Sequence, residues 1–150
     1  IHPETNMKAA ILLAALSLVA ALPRVRREAY ELPNGVELVL GRQVQTSFQC
    51  ERDGYFADVD NDCKVFHVCR GVQDKDGQTK YSQYTFACGN QTMFNQASFT
   101  CAFTDEAVPC SSARDFFYLN DHLFQSKDIP ILDDQDTGRA SSLYTASRAA

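Results

Sequence analysis

Residues 50–110 decide the fold, and they read CERDGYFADVDNDCKVFHVCRGVQDKDGQTKYSQYTFACGNQTMFNQASFTCAFTDEAVPC. All six cysteines of the 150-residue chain lie here, with the spacing Cys50-x12-Cys63-x5-Cys69-x18-Cys88-x12-Cys101-x8-Cys110. An even number of cysteines in a short stretch, behind a segment that looks secretory, is typical of a disulfide framework. A zinc site would use close pairs of the Cys-x2-Cys kind, and the stretch has none. We therefore predict disulfides, with neither a bound metal nor another cofactor.

Aromatic and apolar residues recur in a fixed order around these cysteines. The order is carried by Gly54-Tyr55-Phe56-Ala57-Asp58, Cys63-Lys64-Val65-Phe66-His67-Val68-Cys69, Tyr84-Thr85-Phe86-Ala87-Cys88, Thr92-Met93-Phe94-Asn95-Gln96, Cys101-Ala102-Phe103 and Val108-Pro109-Cys110. It resembles the chitin-binding type-2, or peritrophin-A, module. The segments are most similar to single-domain arthropod cuticular proteins analogous to peritrophins. Centipede venom scoloptoxins with one chitin-binding domain are similar as well.

The resemblance implies a disulfide pairing and a function. The pairing is Cys50–Cys69, Cys63–Cys110 and Cys88–Cys101, one of fifteen that six cysteines allow. The implied function is binding of chitin, a polymer of neutral N-acetylglucosamine rings.

The residue pattern predicts a small disulfide-rich β fold. We expect a short antiparallel three-stranded sheet plus a small two-stranded hairpin, flanked by poorly ordered segments. Residues 64–69, 81–88 and 92–95 have strand patterns, and Asp76-Gly77 is a turn signal between the first two. Residues 99–101 are expected to pair in the hairpin, which closes around residues 95–98.

The N-terminal part has the pattern of an exported protein. Residues 1–6 precede Met7 and are expected to lie upstream of the start. Residues 7–21 fit a signal peptide, because Lys8 is followed by an apolar run too short to span a membrane. The basic residues 24–27, Arg-Val-Arg-Arg, fit a furin-type processing site that would leave Glu28 as a second N-terminus, and they fit an ordinary basic cluster equally well. We expect a secreted, extracellular protein.

The two flanks of the module are expected to be poorly packed. Residues 22–49 form a lead-in with some strand character over 36–44, and we expect it to be mobile or loosely docked. Residues 111–150 form a partly disordered tail. Its residues 114–126 have apolar side chains at helical spacing, which predicts a short helix that docks on the module or on a matrix protein partner. The acidic, small-residue sequence after Pro130 predicts disorder.

Charge and carboxylate inventory argue against several classes of protein. The formal net charge of −5 does not favour nucleic acid or an anionic membrane surface, and it is compatible with a neutral sugar polymer. Glycoside hydrolysis needs two carboxylates across a cleft. Asp58, Asp60 and Asp62 alternate in a predicted loop with no glutamate partner. We therefore predict that the protein is not an enzyme.

Exposed aromatic rings are the expected means of binding a sugar polymer. Residues 50–110 contain nine Tyr or Phe residues, too many for so small a core. We assign Phe66, Phe86 and Phe94 to the core. The predicted chitin-binding residues are, in order of preference, Phe103, Tyr84, Tyr55, Asn95 and His67. Phe103 is preferred because the family often has a larger aromatic there, Asn95 would bond an acetamide, and His67 stands where relatives often have an aromatic.

These observations predict a secreted, non-catalytic chitin-binding protein of arthropod extracellular matrix, either cuticle or a chitinous lining. The alternative is a secreted venom or defence polypeptide that uses the same disulfide scaffold. Asn90-Gln91-Thr92 is the N-glycosylation sequon of the chain, which makes Asn90 a predicted glycan site.

Overall fold

The structure is a computed structural model that describes residues 28–125, 128 and 130–148. The predicted signal peptide and the basic residues 24–27 lie outside the described residues. The elements are helix α1 (Val36–Leu40), strands β1 (Gly54–Ala57), β2 (Val65–Gln73), β3 (Thr79–Ala87), β4 (Thr92–Asn95) and β5 (Thr100–Phe103), helices α2 (Asn120–Leu123) and α3 (Asp134–Arg148), and two 3₁₀ helices, Val59–Asn61 and Cys110–Leu119.

The predicted β architecture is confirmed. An antiparallel three-stranded sheet has the order β1-β2-β3, and β4 pairs with β5 in a separate hairpin. One strand assignment needs correction. The third strand of the sheet is β1, which carries the Gly54-Tyr55-Phe56-Ala57 motif, whereas residues 92–95 form a strand of the hairpin. Asp74 closes the β2–β3 turn, since its carboxylate accepts the amide N–H groups of Asp76 and Gln78.

Three disulfides hold these small elements together. Cys50 bonds Cys69, Cys63 bonds Cys110 and Cys88 bonds Cys101, which is the pairing that the resemblance implies. The first bridge ties Cys50, at the start of the module, to β2. The second ties the loop before β2 to the long 3₁₀ helix, and the third ties the end of β3 to β5. All six cysteines lie in the described range, and all six are paired.

The described part of the lead-in, residues 28–49, contacts the sheet. Residues 36–40 form α1 rather than a strand, and Val36 and Leu40 are buried against Val65 of β2. Their i, i+4 spacing places both side chains on one face of a helix, and it would also place them on one face of a strand. The apolar pattern alone therefore does not distinguish the two. Lys64 fixes the end of α1 by donating to the Val39 carbonyl oxygen at 2.8 Å.

The tail also packs on the module. The predicted helix over 114–126 is present, but it begins at Cys110 as a 3₁₀ helix and ends with α2 at Leu123. Phe116 and Leu119 are buried with Val108 in one cluster. After Pro130 the described residues include α3, whose Ala140 is buried in the same cluster.

The docking of α3 has a sequence signal that its acidic, small-residue composition obscures. Ala140, Leu143 and Tyr144 follow one another at i, i+3, i+4 spacing, and all three belong to the cluster around Phe116. A hydrogen bond from the Tyr118 hydroxyl to the Asp136 carboxylate holds the start of the helix. In the described part of the chain, no helix combines the length and apolar character needed to cross a membrane.

Candidate functional site

One face of the three-stranded sheet carries a row of exposed rings. Tyr55 of β1, Val68 of β2 and Tyr84 of β3 are register partners, and Phe66 pairs with Phe86 in the next row. These five residues, which we call the outer aromatic face, line an open depression. Relative exposure is 38% for Tyr55, 37% for Tyr84 and 43% for Phe86. Since adjacent strands lie about 4.8 Å apart, the two tyrosines stand roughly 10 Å apart across the sheet.

Stacked rings support this face from below. The Phe66 ring lies between Phe94, at a centroid distance of 4.4 Å, and Phe86, at 5.3 Å. Phe94 is fully buried in the core cluster beneath, as predicted. Phe66 is half-buried, and Phe86 is exposed rather than part of the core, which corrects its assignment. Phe66 therefore connects the outer aromatic face to the core, and Phe86 is exposed on that face.

The free edge of β1 is held by two side-chain amides. The backbone N–H of Tyr55 donates to the Asn120 carboxamide oxygen at 2.7 Å, and the N–H of Ala57 donates to that of Gln96 at 2.8 Å. The Tyr55 carbonyl oxygen accepts from both amide nitrogens, at 2.8 Å from Gln96 and 3.0 Å from Asn120. Gln96 and Asn120 thus take the place of a neighbouring strand and fix the position of Tyr55.

The outer aromatic face suits an uncharged, flat ligand. None of its five residues is charged, so it offers apolar ring surfaces together with two phenol hydroxyls that can donate and accept hydrogen bonds. One face of a sugar ring is more apolar than the other, and hydroxyl groups surround the edge of the ring. Aromatic rings beside polar tips are the side chains that match such a surface.

His67 lies on the opposite face of the sheet and is fully buried, which corrects its nomination as a polymer contact. Its Nε2 is 2.9 Å from an Asp58 carboxylate oxygen, its Nδ1 is 2.9 Å from the Thr85 hydroxyl, and its ring stacks on Phe48 at 4.0 Å. The Thr85 hydroxyl donates to the Ala29 carbonyl oxygen, so it accepts from the imidazole.

Asp58, His67 and Thr85 are residue types that form the catalytic triad of some enzymes, but their surroundings here differ from those of a triad. All three side chains are buried, and the threonine proton is committed to a backbone carbonyl. A nucleophile needs an accessible oxygen whose proton is free to pass to a base. The chain of hydrogen bonds therefore connects the lead-in to the sheet.

Tyr30 extends that connection. Its hydroxyl accepts the Phe48 backbone N–H at 2.9 Å and donates to Asp58 at 3.4 Å. Burial raises the pKa of Tyr30 to about 12, against the opposing effect of the Phe48 N–H.

Asn95 is also buried, which corrects its nomination as an acetamide ligand. Its side-chain oxygen accepts the backbone N–H groups of Ala97 and Val108, at 3.2 and 3.3 Å. Its side-chain nitrogen donates to the Tyr144 hydroxyl at 3.1 Å. The side chain closes the β4–β5 turn and joins it to α3.

Phe103 and Asn90 are exposed and do not line the depression of the outer aromatic face. Phe103 is 52% exposed on β5, opposite Thr92, and it is not among the residues that line the face. Asn90 lies at the surface in the turn between β3 and β4. The structure thus brings the predicted residues Tyr55 and Tyr84 together and leaves Phe103 on the hairpin.

Phe66, Val68 and Phe86 are members of the face that were not predicted as binding residues. Strand alternation was the signal that could have found them. Tyr84 and Phe86 are two residues apart in one strand, so a prediction that exposes the first also exposes the second.

The acidic residues before β2 have structural partners. Asp58 caps the short 3₁₀ helix by accepting from the Asn61 backbone N–H, and Asp62 pairs with Arg42 at 2.8 Å. Asp60 accepts from the Ser47 hydroxyl at 2.6 Å. Within the described ranges, no group of three or more His, Cys, Asp or Glu side chains is arranged to hold a metal ion.

Comparison with known proteins identifies the module. Residues 50–110 match the model of the chitin binding Peritrophin-A domain. U-scoloptoxin(01)-Cw1a of Cormocephalus westwoodi is 31% identical over 121 residues, covering 79% of this chain and 90% of that protein. U-scoloptoxin(01)-Er1a of Ethmostigmus rubripes is 28% identical over 119 residues, covering 78% and 89%. No solved structure matches the chain significantly. The chain therefore belongs to the family of proteins that carry the chitin-binding Peritrophin-A domain.

Proposed function

We propose that this is a secreted, non-catalytic chitin-binding protein of an arthropod extracellular matrix, such as cuticle or a chitinous lining. The observation that carries the proposal is the outer aromatic face. Its rings stand in register across the three strands of a chitin-binding domain, at the surface and without a charged neighbour in the depression that they line.

Stacking on this face accounts for recognition of a neutral polymer. Each sugar that covers one ring removes apolar surface from water, which is worth roughly 1–3 kcal/mol for a large side chain. Two rings about 10 Å apart can contact two sugars of the same chain that have one sugar unit between them. Phe103, on the hairpin, is a further proposed contact.

Three features support export and a matrix setting. Three disulfides are typical of proteins that fold in an oxidising compartment. The Asn90 side chain is exposed in its sequon and accessible to a glycosyltransferase, so we propose a glycan there. Phe124 and Ile131 of the tail are exposed apolar residues, and we propose them as the contact for a matrix protein.

Retention on chitin beads tests the proposal with a matched pair of tyrosines. Tyr84 and Tyr81 lie in β3, are 37% and 38% exposed, and point to opposite faces of the sheet. Tyr84→Ala should lower affinity about five- to hundredfold, and Tyr81→Ala should leave it unchanged.

Added salt provides the second arm of this test. Stacking should survive 1 M salt, whereas charge-driven adsorption weakens as the Debye length shrinks from about 10 Å to about 3 Å. Equal losses for both tyrosine variants, or release by salt, would contradict binding through the outer aromatic face.

The second candidate is a secreted venom or defence polypeptide on the same scaffold. It is favoured by the names of both relatives, which are called U-scoloptoxin(01). Expression in a venom gland, together with a folded protein that chitin beads do not retain, would establish this alternative. Expression in epidermis or a chitinous lining supports the matrix function.

A further inference from the structure

A groove of about 410 Å³ runs between β3 and the lead-in. Its near wall is β3, and its far wall comes from residues 28–33, which precede the family domain. The lining residues are Glu28, Glu31, Leu32, Pro33, Tyr84, Thr85, Phe86 and Ala87. Its volume lies in the range of pockets that hold small ligands, about 300–1,000 Å³.

The groove is continuous with the outer aromatic face. Tyr84 and Phe86 line both depressions, so the edge of β3 is a ridge that the two share. A sugar polymer that lies across the strands from Tyr55 to Tyr84 reaches this ridge. Further units of the same chain can reach the groove if the chain bends at the edge of β3.

The far wall is held in place by the lead-in contacts described above. The Thr85 hydroxyl bonds the Ala29 carbonyl oxygen, and the Tyr30 hydroxyl bonds the backbone of Phe48. Leu32 packs against the cluster of Val36, Leu40 and Val65. The groove is therefore formed before a ligand enters, and a ligand loses little free energy in ordering it.

The lining chemistry suits further N-acetylglucosamine units. Leu32, Pro33 and Ala87 offer apolar surface for ring faces and acetyl methyl groups. Glu28 and Glu31 place carboxylates at the rim, and carboxylates accept hydrogen bonds from sugar hydroxyls and amide N–H groups. Among the described residues that line the groove, the charged ones are the two glutamates.

We propose that the chitin chain continues from the outer aromatic face over β3 into this groove, so that residues 28–33 form an additional binding subsite outside the family domain. The inference rests on the proposed function. It predicts that affinity grows with oligosaccharide length beyond the few units that cover Tyr55 and Tyr84.

Titration calorimetry with N-acetylglucosamine oligomers, from the disaccharide to the hexasaccharide, tests this subsite. The hexasaccharide should bind more tightly than the trisaccharide. A Glu28→Ala/Glu31→Ala variant should lose about two- to tenfold of affinity for the hexasaccharide and none for the disaccharide. Glu37→Ala/Glu51→Ala is the matched control, since it removes the same charge from residues that do not line the groove. Tyr84→Ala should weaken binding at every length.

Amide chemical shifts of the unaltered chain provide a measurement that needs no variant. The hexasaccharide should shift the amides of Glu31 and Leu32, and the disaccharide should not, with Gly138 of α3 as the reference. Binding of all oligomers with no effect of length, and with those two amides unmoved, would overturn the subsite and leave the proposed function standing. Absence of binding at any length would overturn both.

Discussion

Gly54 shows how one residue positions the outer aromatic face. Its φ is +144°, and a Cβ built on it would overlap the Asn120 carboxamide, which bonds the backbone of the next residue, Tyr55. A side chain at position 54 therefore competes with the group that holds the edge of β1. The absence of a side chain at Gly54 is what lets Asn120 approach Tyr55.

Gly54→Ala should lower the free energy of unfolding by about 2–4 kcal/mol, because overpacking adds to backbone strain. Gly77→Ala is the control. Its φ is also positive, at +76°, but the space around the added atom is open, so the variant should cost only backbone strain, about 1–2 kcal/mol. Urea unfolding measures both. If the two variants lose the same stability, the Asn120 contact is not what constrains position 54.

Individual residues also mark the limit of what the sequence predicted for the site. The exposure of Tyr55 and Tyr84 could be predicted because a short strand exposes one of its faces. His67 and Asn95 could not, because polar residues are buried only when partners satisfy them. Those partners come from distant positions: Thr85 lies 18 residues after His67, and Tyr144 lies 49 residues after Asn95. Composition around a residue does not reveal such pairs.

At the scale of elements, the strongly alternating strands were predictable and the short, context-dependent ones were not. β2 and β3 carry long alternating patterns and were predicted close to their positions. β1 has four residues, and its pairing depends on β2 and on two amides from elsewhere. α1 and α3 have weak propensity and form where apolar residues meet an existing surface, and helices of this kind owe their stability to tertiary packing.

Tyr30 makes the docking of the lead-in dependent on pH. Its pKa is raised to about 12 in the folded state from an ordinary value of 10, so its contribution is complete below pH 10 and is lost as pH rises towards 12. Between pH 9 and 12 the free energy of unfolding should fall by about 1 kcal/mol more in the unaltered protein than in Tyr30→Phe, after allowance for solvent screening.

Denaturant unfolding over this pH range provides the measurement, with Tyr81→Phe as the control at an exposed tyrosine of β3. Tyr81→Phe should retain the full pH dependence. If Tyr30→Phe loses stability with pH as steeply as the unaltered protein, the ionisation of Tyr30 is not coupled to folding.

At the scale of the whole molecule, the described residues form three small apolar clusters, and disulfides connect the chain segments around them. The largest cluster among the described residues contains seven buried residues. Small domains of this kind need covalent cross-links, because their cores bury too little apolar surface to be stable without them. The cysteine spacing therefore carried most of the fold information, and the resemblance supplied the pairing that spacing alone leaves open.

Removal of single bridges should rank by the length of chain that each closes. The Cys63–Cys110 bridge spans 47 residues and Cys88–Cys101 spans 13. Chain-entropy estimates give about 4 kcal/mol for the first and about 3 kcal/mol for the second. Urea unfolding of the Cys63→Ser/Cys110→Ser variant should thus show the larger loss, close to complete unfolding of the domain. The reverse ranking would indicate that local packing, rather than chain entropy, sets the value of each bridge.

The amides that cover the edge of β1 have a consequence for crowded surfaces. A matrix polymer would collect many copies of the protein side by side, at a local concentration far above that in solution. Under such crowding, a bare strand edge is a template on which neighbouring chains add strands and aggregate. Gln96 and Asn120 already occupy the backbone groups of Tyr55 and Ala57 that a neighbour would use. This edge of β1 is therefore closed to strand addition by a second copy of the chain.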